Sequence, residues 1–193
     1  MRLATALAAL AACTFSVALT ADDRDGDPRR IVTVDFGAGL NTAQPGNSAN
    51  HHVIPNTIKA HTGDIVNFTV SGLHVIRVYA KGVTLNDVKA QIPDECEVNP
   101  VPPATAPPQC AFSAPVPVIP DFGLGVFYEG INPLAAPPPA PPFAQVSATL
   151  NRVETVTFPE PGKYLVICAV LEHFNDKMYA VIDVRGGDDD QHH

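Results

Sequence analysis

The sequence predicts an all-β fold, a sandwich of short strands. Short segments rich in β-branched residues alternate apolar and polar positions, as in IVTVDF at residues 31–36. Turn signals separate these segments, as in HTGD at residues 61–64. No stretch carries the apolar period of a long helix. An apolar fraction of 46% is enough for a packed core between two sheets.

The predicted strands follow one another with turns between them. In the last hairpin Tyr164, Val166 and Cys168 share one face of a strand, because side chains alternate along a strand. The segments are, in order, IVTVDF (31–36), VIPNTIKAHTGDIVNFTV (53–70, two strands around a turn at 61–64), LHVIRVY (73–79), ETVTFPEPGKYLVICAV (154–170, two strands around Pro161-Gly162) and MYAVIDV (178–184).

A proline-rich insert, about residues 81–142, interrupts the strand pattern. Residues 93–142 hold fifteen of the twenty prolines, so this segment does not form central sheet. The apolar DFGLGVFYEGINPL (121–134) predicts an ordered excursion that packs on the sandwich. Cys96 and Cys110 lie in the same segment and predict a disulfide that staples it.

The N-terminus resembles a secretory signal peptide, with Arg2 before an apolar Ala- and Leu-rich run. The expected location is therefore the periplasm or the outside of the cell. A lipid anchor on Cys13 is the less favoured alternative. The apolar run is too short for a membrane span. The predicted organisation is a signal peptide at 1–21, a flexible stretch at 22–30, a single domain at 31–185, and a disordered acidic and histidine-containing tail at 186–193.

Charge and cysteine count narrow the classes of function. A formal net charge of −8 argues against nucleic acid and anionic membranes as partners and favours a basic protein partner. Once the signal peptide and the Cys96–Cys110 pair are set aside, Cys168 is left over. A lone thiol in an exported protein is either buried and inert or used as a ligand.

The ligand loop, CAVLEHFNDKM at residues 168–178, contains Cys168, His173 and Met178, each separated from the next by four residues. Thiolate and thioether are soft donors that favour Cu(I), whereas imidazole binds both copper states. A second histidine has to come from elsewhere, and His74, at the start of a predicted strand, is the candidate. The alternative is a buried thiol with unrelated neighbours in a hairpin.

These segments resemble the cupredoxins, small blue copper proteins such as plastocyanin, azurin and auracyanin. The loop spacing is closest to the auracyanin type. The insert has no counterpart in the small members of the family. The resemblance covers about half of the chain that remains once the signal peptide is removed. It is carried by PNTIKAHTGDIVNFTVSG (55–72), LHVIRVY (73–79) and FPEPGKYLVICAVLEHFNDKMYAVIDV (158–184).

The resemblance implies a Greek-key β-sandwich that holds one type 1 copper at one end. His74, Cys168 and His173 would be the equatorial ligands and Met178 the axial ligand. Because all ligand positions would be filled, the expected function is one-electron transfer between redox partners, and not catalysis.

The resemblance also implies a docking site for redox partners, such as a cytochrome with a basic docking face, on a monomeric carrier. In the family an apolar patch around the exposed ligand histidine serves this purpose. Here its candidates are Ala169, Val170, Leu171 and Phe174. The insert either extends or covers this patch, and the sequence does not decide between the two.

Two positions next to the ligands depart from the family pattern. Val75 stands where the family often has an asparagine that ties the two ligand segments together, so this link is expected to be weaker. Glu172 stands before His173, where the family often has proline or glycine. A carboxylate beside a ligand histidine favours the oxidised site, so Glu172→Gln is expected to raise the reduction potential.

Three other classes of function compete with electron transfer. A periplasmic protein that sequesters or delivers copper is the main alternative, although the chain has only two methionines, Met1 and Met178. A copper enzyme needs additional histidine clusters, and a metal-free structural sandwich remains open. The histidines outside the proposed ligand set were expected to be surface, turn or tail residues: His51, His52, His61, His192 and His193.

Overall fold

The computed structural model describes residues 29–37, 50–96, 117–133 and 150–186. Within these ranges no helix is long and apolar enough to cross a bilayer. The elements are β1 (Ile31–Phe36), β2 (Val53–Ile54), β3 (Thr57–His61), β4 (Ile65–Ser71), β5 (Ile76–Tyr79), α1 (Leu85–Lys89), a 3₁₀ turn (Asp94–Cys96), β6 (Val126–Glu129), β7 (Asn151–Thr157), β8 (Gly162–Cys168), α2 (Leu171–Asn175) and β9 (Tyr179–Arg185).

The strands form two mixed sheets. The four-stranded sheet has the order β2-β1-β4-β7, and the five-stranded sheet has the order β3-β9-β8-β5-β6. The pairs β1–β4 and β3–β9 are parallel, and the other pairs are antiparallel. This arrangement confirms the predicted two-sheet sandwich.

Strand β4 shows how alternation builds the core between the sheets. It buries Val66, Phe68 and Val70, whereas the residues between them stay partly exposed. The Phe68 ring meets Phe36 of β1 edge to face, with ring centroids 6.1 Å apart. Burying one such side chain stabilises the fold by roughly 1.5–3 kcal/mol.

Strand β8 is buried on both faces. Residues 164–168 are all buried, because one face meets the other sheet and the other face meets a second apolar cluster. The described part of the insert contributes to that cluster through Val88, Ile92 and Ile119.

The described part of the insert also contains regular structure that the proline count did not predict. Strand β6 pairs with β5 and forms one edge of the five-stranded sheet, where proline-rich neighbours are tolerated. Helix α1 begins with a capping box in which Thr84 and Asp87 satisfy each other's backbone amides.

Several predictions fall on residues outside the described ranges and therefore stay predictions. They are the signal peptide at 1–21 with Cys13, most of the stretch at 22–30, Cys110 and with it the Cys96–Cys110 disulfide, and the tail beyond residue 186 with His192 and His193.

Candidate metal centre

Strand pairing brings the two halves of the candidate site together at one end of the sandwich. His74 lies just before β5, and Cys168 is the last residue of β8. These strands are antiparallel neighbours with Ile76 opposite Cys168, so the chain before β5 runs beside the thiol. Helix α2 then turns the chain so that His173 faces the same point.

Three donor atoms converge there. His74 Nδ1 lies 2.9 Å from His173 Nδ1, and Cys168 Sγ lies 3.7 Å and 3.5 Å from these two nitrogens. Nitrogen and sulfur ligands that bind one transition metal at about 2.0–2.3 Å lie roughly 3–4 Å from one another. The spacing therefore suits a single ion. Among the described residues this is the one cluster of three or more histidine, cysteine or acidic donors.

Met178 closes the ligand loop next to these donors. Its side chain is completely buried in the same apolar cluster as Cys168. Its backbone amide donates to His173 O at 3.0 Å, and its carbonyl accepts from Cys168 N at 2.9 Å. The loop is thus closed by main-chain bonds. A thiolate, two imidazoles and a thioether are the donor set that fits type 1 copper.

Burial keeps both imidazoles neutral and therefore able to bind a metal. Burial lowers the pKa of His74 to about 4, and the nearby charge of His51 acts in the same direction. Burial lowers the pKa of His173 to about 2, with further lowering by His74 and His51. Neutral imidazole is the form that offers a lone pair to a metal.

Burial has the opposite effect on Cys168, because it favours the protonated thiol, which is not the form that binds a metal. Burial raises the pKa of Cys168 to about 12, although hydrogen bonds from the backbone amides of Val75 and Val170 act to lower it. Without a bound cation the sulfur keeps its proton. A metal ion would displace that proton and convert Cys168 into a thiolate ligand.

Val75 links the two ligand segments through its main chain. Its carbonyl accepts from Ala169 N at 2.8 Å, and its amide acts to lower the pKa of Cys168. The side chain itself is apolar and fully buried. The main chain at Val75 thus joins the two ligand segments, and the weaker side-chain link at this position stays a prediction.

Glu172 lies in the first turn of α2 and is exposed to solvent. Its carboxylate neighbours His173 in sequence, but water screens the charge of an exposed group. The expected effect of Glu172 on the site is therefore small, and its sign stays a prediction.

His51 is a residue of the site that sequence reasoning missed. It was expected on the surface, which is wrong, because only 3% of it is exposed. Its ring stacks on His173 with centroids 3.9 Å apart, and its Nδ1 lies 2.5 Å from Asp176 Oδ2. His52 is exposed. The alternation of adjacent residues along an extended chain was the available signal, since one of the two histidines had to face inward.

The candidates for the docking patch are buried, and the insert covers them. Ala169, Val170, Leu171 and Phe174 are only 0–3% exposed. A covering segment of the insert, residues 117–119, lies along the loop. Its Ile119 N donates to Ala169 O at 2.7 Å, and its Pro117 O accepts from Leu171 N at 2.9 Å. The insert thus covers these apolar residues.

No family model matches the sequence, and no curated protein matches it. Solved structures similar to this chain are cupredoxins. Auracyanin from Roseiflexus castenholzii is 19% identical, with 82% of this chain and 98% of that chain covered and a TM-score of 0.41. Auracyanin A, a "blue" copper protein from Chloroflexus aurantiacus, is 15% identical, with 80% and 98% covered and a TM-score of 0.39.

A copper-containing nitrite reductase from Thermus scotoductus is also similar, at 14% identity and a TM-score of 0.32. The alignment covers 79% of this chain but 22% of that enzyme. These similarities concern the fold. The chemistry of this chain rests on its own donors.

Proposed function

We propose that this chain is a type 1 copper protein that carries one electron at a time between redox partners. The observation that carries the proposal is the convergence of His74 Nδ1, His173 Nδ1 and Cys168 Sγ in a buried site. We assign these residues as equatorial ligands. Met178 is proposed as the axial ligand, since it is buried in the same loop.

Bound copper would supply a one-electron couple between Cu(I) and Cu(II). The protein's part is to hold soft and borderline donors in one arrangement that both states accept. The main-chain bonds from Met178 to Cys168 and His173 resist rearrangement of the loop. Burial of the donors excludes water, so little solvent has to reorganise when the charge changes.

The electron is proposed to enter and leave through His173. It is 8% exposed, whereas His74 is 1% exposed and Cys168 and Met178 are completely buried. A carrier without an enzymatic step agrees with this arrangement, because four protein donors leave no ligand position for a substrate.

The setting of this function is proposed from the sequence. The signal-like N-terminus favours the periplasm or the outside of the cell. The net charge of −8 favours donors and acceptors with a basic docking face, such as a basic cytochrome.

Stopped-flow mixing tests the carrier function directly. The copper(I) form of residues 22–193 is mixed with an oxidised, basic c-type cytochrome. We expect one electron per copper to be transferred, at a rate that falls as salt is added. The Cys168→Ala variant, loaded in the same way, is the control that lacks the thiolate. Transfer of copper to a chelating acceptor without electron transfer would contradict the proposal and favour copper delivery.

A further inference from the structure

The guanidinium of Arg152 reaches the candidate site from the opposite sheet. Arg152 lies on β7, and its side chain is only 7% exposed. Its Nη2 donates to His74 O at 2.9 Å and to Ile131 O at 2.9 Å. A charged side chain therefore joins the chain before β5 to the turn that follows β6.

Glu154 balances this buried charge. Its side chain is 3% exposed, and its Oε1 lies 2.5 Å from Arg152 Nε. Tyr128 Oη donates to Oε2 at 2.8 Å, and Ile131 N donates to Oε1 at 3.3 Å. A buried ion pair is tolerated only when its remaining donors and acceptors are satisfied, as they are here. Burial and the adjacent Glu154 carboxylate raise the pKa of Tyr128, so the proton stays on the Tyr128 hydroxyl, which donates it to the carboxylate.

Gly130 makes room for this pair. A Cβ atom at residue 130 would lie 2.2 Å from Glu154 Oε2, so a larger residue would push the carboxylate away. The amide of Gly130 donates to Ile76 O at 2.8 Å, which fixes the turn against β5. The backbone around Gly130 therefore fixes where the Arg152–Glu154 ion pair lies.

The peptide group between His74 and Val75 connects Arg152 to the sulfur. Arg152 donates to the oxygen of this peptide at 2.9 Å, and the N–H of the same peptide, the Val75 amide, acts to lower the pKa of Cys168. The next carbonyl, Val75 O, accepts from Ala169 N at 2.8 Å, which holds this segment beside the residue that follows Cys168. A hydrogen bond to a peptide oxygen polarises the group and strengthens its N–H as a donor. Arg152 therefore acts on the peptide group that lies between its own side chain and the Cys168 segment.

We propose that Arg152, paired with Glu154, is a positioning residue that fixes the His74–Val75 peptide and thereby tunes the Cys168 sulfur. This inference rests on the proposed copper function. A stronger N–H···S bond withdraws charge from a thiolate, which favours the reduced site. Loss of Arg152 should therefore lower the reduction potential and move the sulfur-to-copper absorption band.

A second buried arginine provides a matched control. Arg77 on β5 pairs with Glu129 through bonds of 2.6 Å and 2.8 Å, and its side chain is also 7% exposed. Its third contact is the carbonyl of Ile119. Arg77 thus resembles Arg152 in its own burial and in having a glutamate partner, although Glu129 is 43% exposed and Glu154 only 3%. The described hydrogen bonds of Arg77 do not include the His74–Val75 peptide.

The test compares Arg152→Met, Arg152→Lys, the double variant Arg152→Met with Glu154→Gln, and Arg77→Met. The double variant removes the unpaired buried carboxylate, so a folding failure of Arg152→Met alone does not end the test. Two quantities are measured: the reduction potential of the copper form, and the Val75 amide proton shift and its hydrogen exchange in metal-free protein.

We expect the double variant to lower the potential, move the Val75 amide proton upfield and speed its exchange at least tenfold. Arg152→Lys should give values between those of the wild type and the double variant, because its ammonium group replaces one hydrogen-bond donor of the guanidinium. Arg77→Met should lower stability and leave both quantities unchanged. Unchanged Val75 exchange in the double variant, or an equal change in Arg77→Met, would overturn the inference.

The two readouts separate the two proposals. If wild-type protein forms no type 1 site, the copper function fails, and the metal-free Val75 data still decide the role of Arg152. If the copper site forms but the reduction potential is the same in the wild type and the Arg152 variants, only the tuning role of Arg152 is wrong.

Discussion

Single residues around His74 leave its ring almost no freedom. Gly37 has φ +88°, and a Cβ atom there would lie 2.5 Å from His74 Nε2 and 2.5 Å from Ser71 O. Phe36 packs edge to face on the imidazole, with ring centroids 6.0 Å apart. The orientation of His74 is therefore set by a close backbone approach as well as by any metal.

Gly37→Ala is expected to weaken copper binding at least tenfold, because the new methyl group displaces the His74 ring. Gly63→Ala is the matched control, since Gly63 has φ +87° and open space around its Cβ position. Both variants should lose about 1–2 kcal/mol of stability from the left-handed backbone. Competition with a Cu(I) chelator measures the difference. Equal copper affinities in the two variants would show that the close approach is irrelevant.

His51→Ala is expected to cost about 1–3 kcal/mol of stability, because it removes a buried ring and the contact of its Nδ1 with the Asp176 carboxylate. It should also perturb the His173 resonances, since the stacked neighbour is lost. His52→Ala, at the exposed neighbouring position, should change stability by less than about 0.5 kcal/mol. Urea unfolding and NMR of the metal-free protein check both statements, and matching results for the two variants would contradict them.

Glu172→Gln is expected to raise the reduction potential slightly, because it removes an exposed negative charge beside His173. Asp183→Asn is the control of equal charge change. Asp183 lies opposite Lys163, near the start of β8, whereas Cys168 ends that strand. Cyclic voltammetry at low salt compares the two. A lower potential in Glu172→Gln, or the same shift in Asp183→Asn, would count against the prediction.

At the scale of elements, the covering segment explains why the apolar part of the ligand loop is buried. Residue 118 forms an antiparallel bridge with Val170, and the fully buried Ile119 belongs to the same apolar cluster as Leu171 and Phe174. The cover is therefore part of the core. A redox partner would meet a surface built by the insert as well as by the loop.

Ile119→Ala is expected to destabilise the protein by about 2–5 kcal/mol, since it removes a buried side chain and leaves a cavity. Ile131→Ala is the control, because Ile131 is 50% exposed, and a cost below about 0.5 kcal/mol is expected. Urea titration measures both values. If Ile119→Ala cost no more than the control, the covering segment would not be part of the core.

The elements that could be predicted from the sequence are those with local signals. Alternation marked the strands, and the ligand loop placed three donors within eleven residues. The insert covers the loop through contacts between segments far apart in sequence, such as Ile119 with Ala169. Contacts of this kind produce no repeating pattern of apolar and polar residues in the sequence, so they could not be predicted from it. The same reason hid the contact of Arg152 with His74 and the stacking of His51 on His173.

At the scale of the whole molecule, the sandwich serves to hold two chain segments at one end. Strand pairing between β5 and β8 fixes the His74 segment beside Cys168, and the arginine–glutamate pair from the opposite sheet secures the same segment. The sheets thus supply the rigidity that a low-reorganisation copper site requires. The central claim is that this end of the molecule holds one type 1 copper.

Optical and EPR spectroscopy of residues 22–193 after addition of Cu(II), beside the Cys168→Ala variant, tests that claim most directly. We predict an intense thiolate-to-copper absorption band and a narrow parallel hyperfine splitting, with one copper per chain, both lost in the variant. A pale spectrum with wide hyperfine splitting that is the same in both proteins would contradict the claim, because the copper would then be bound without Cys168.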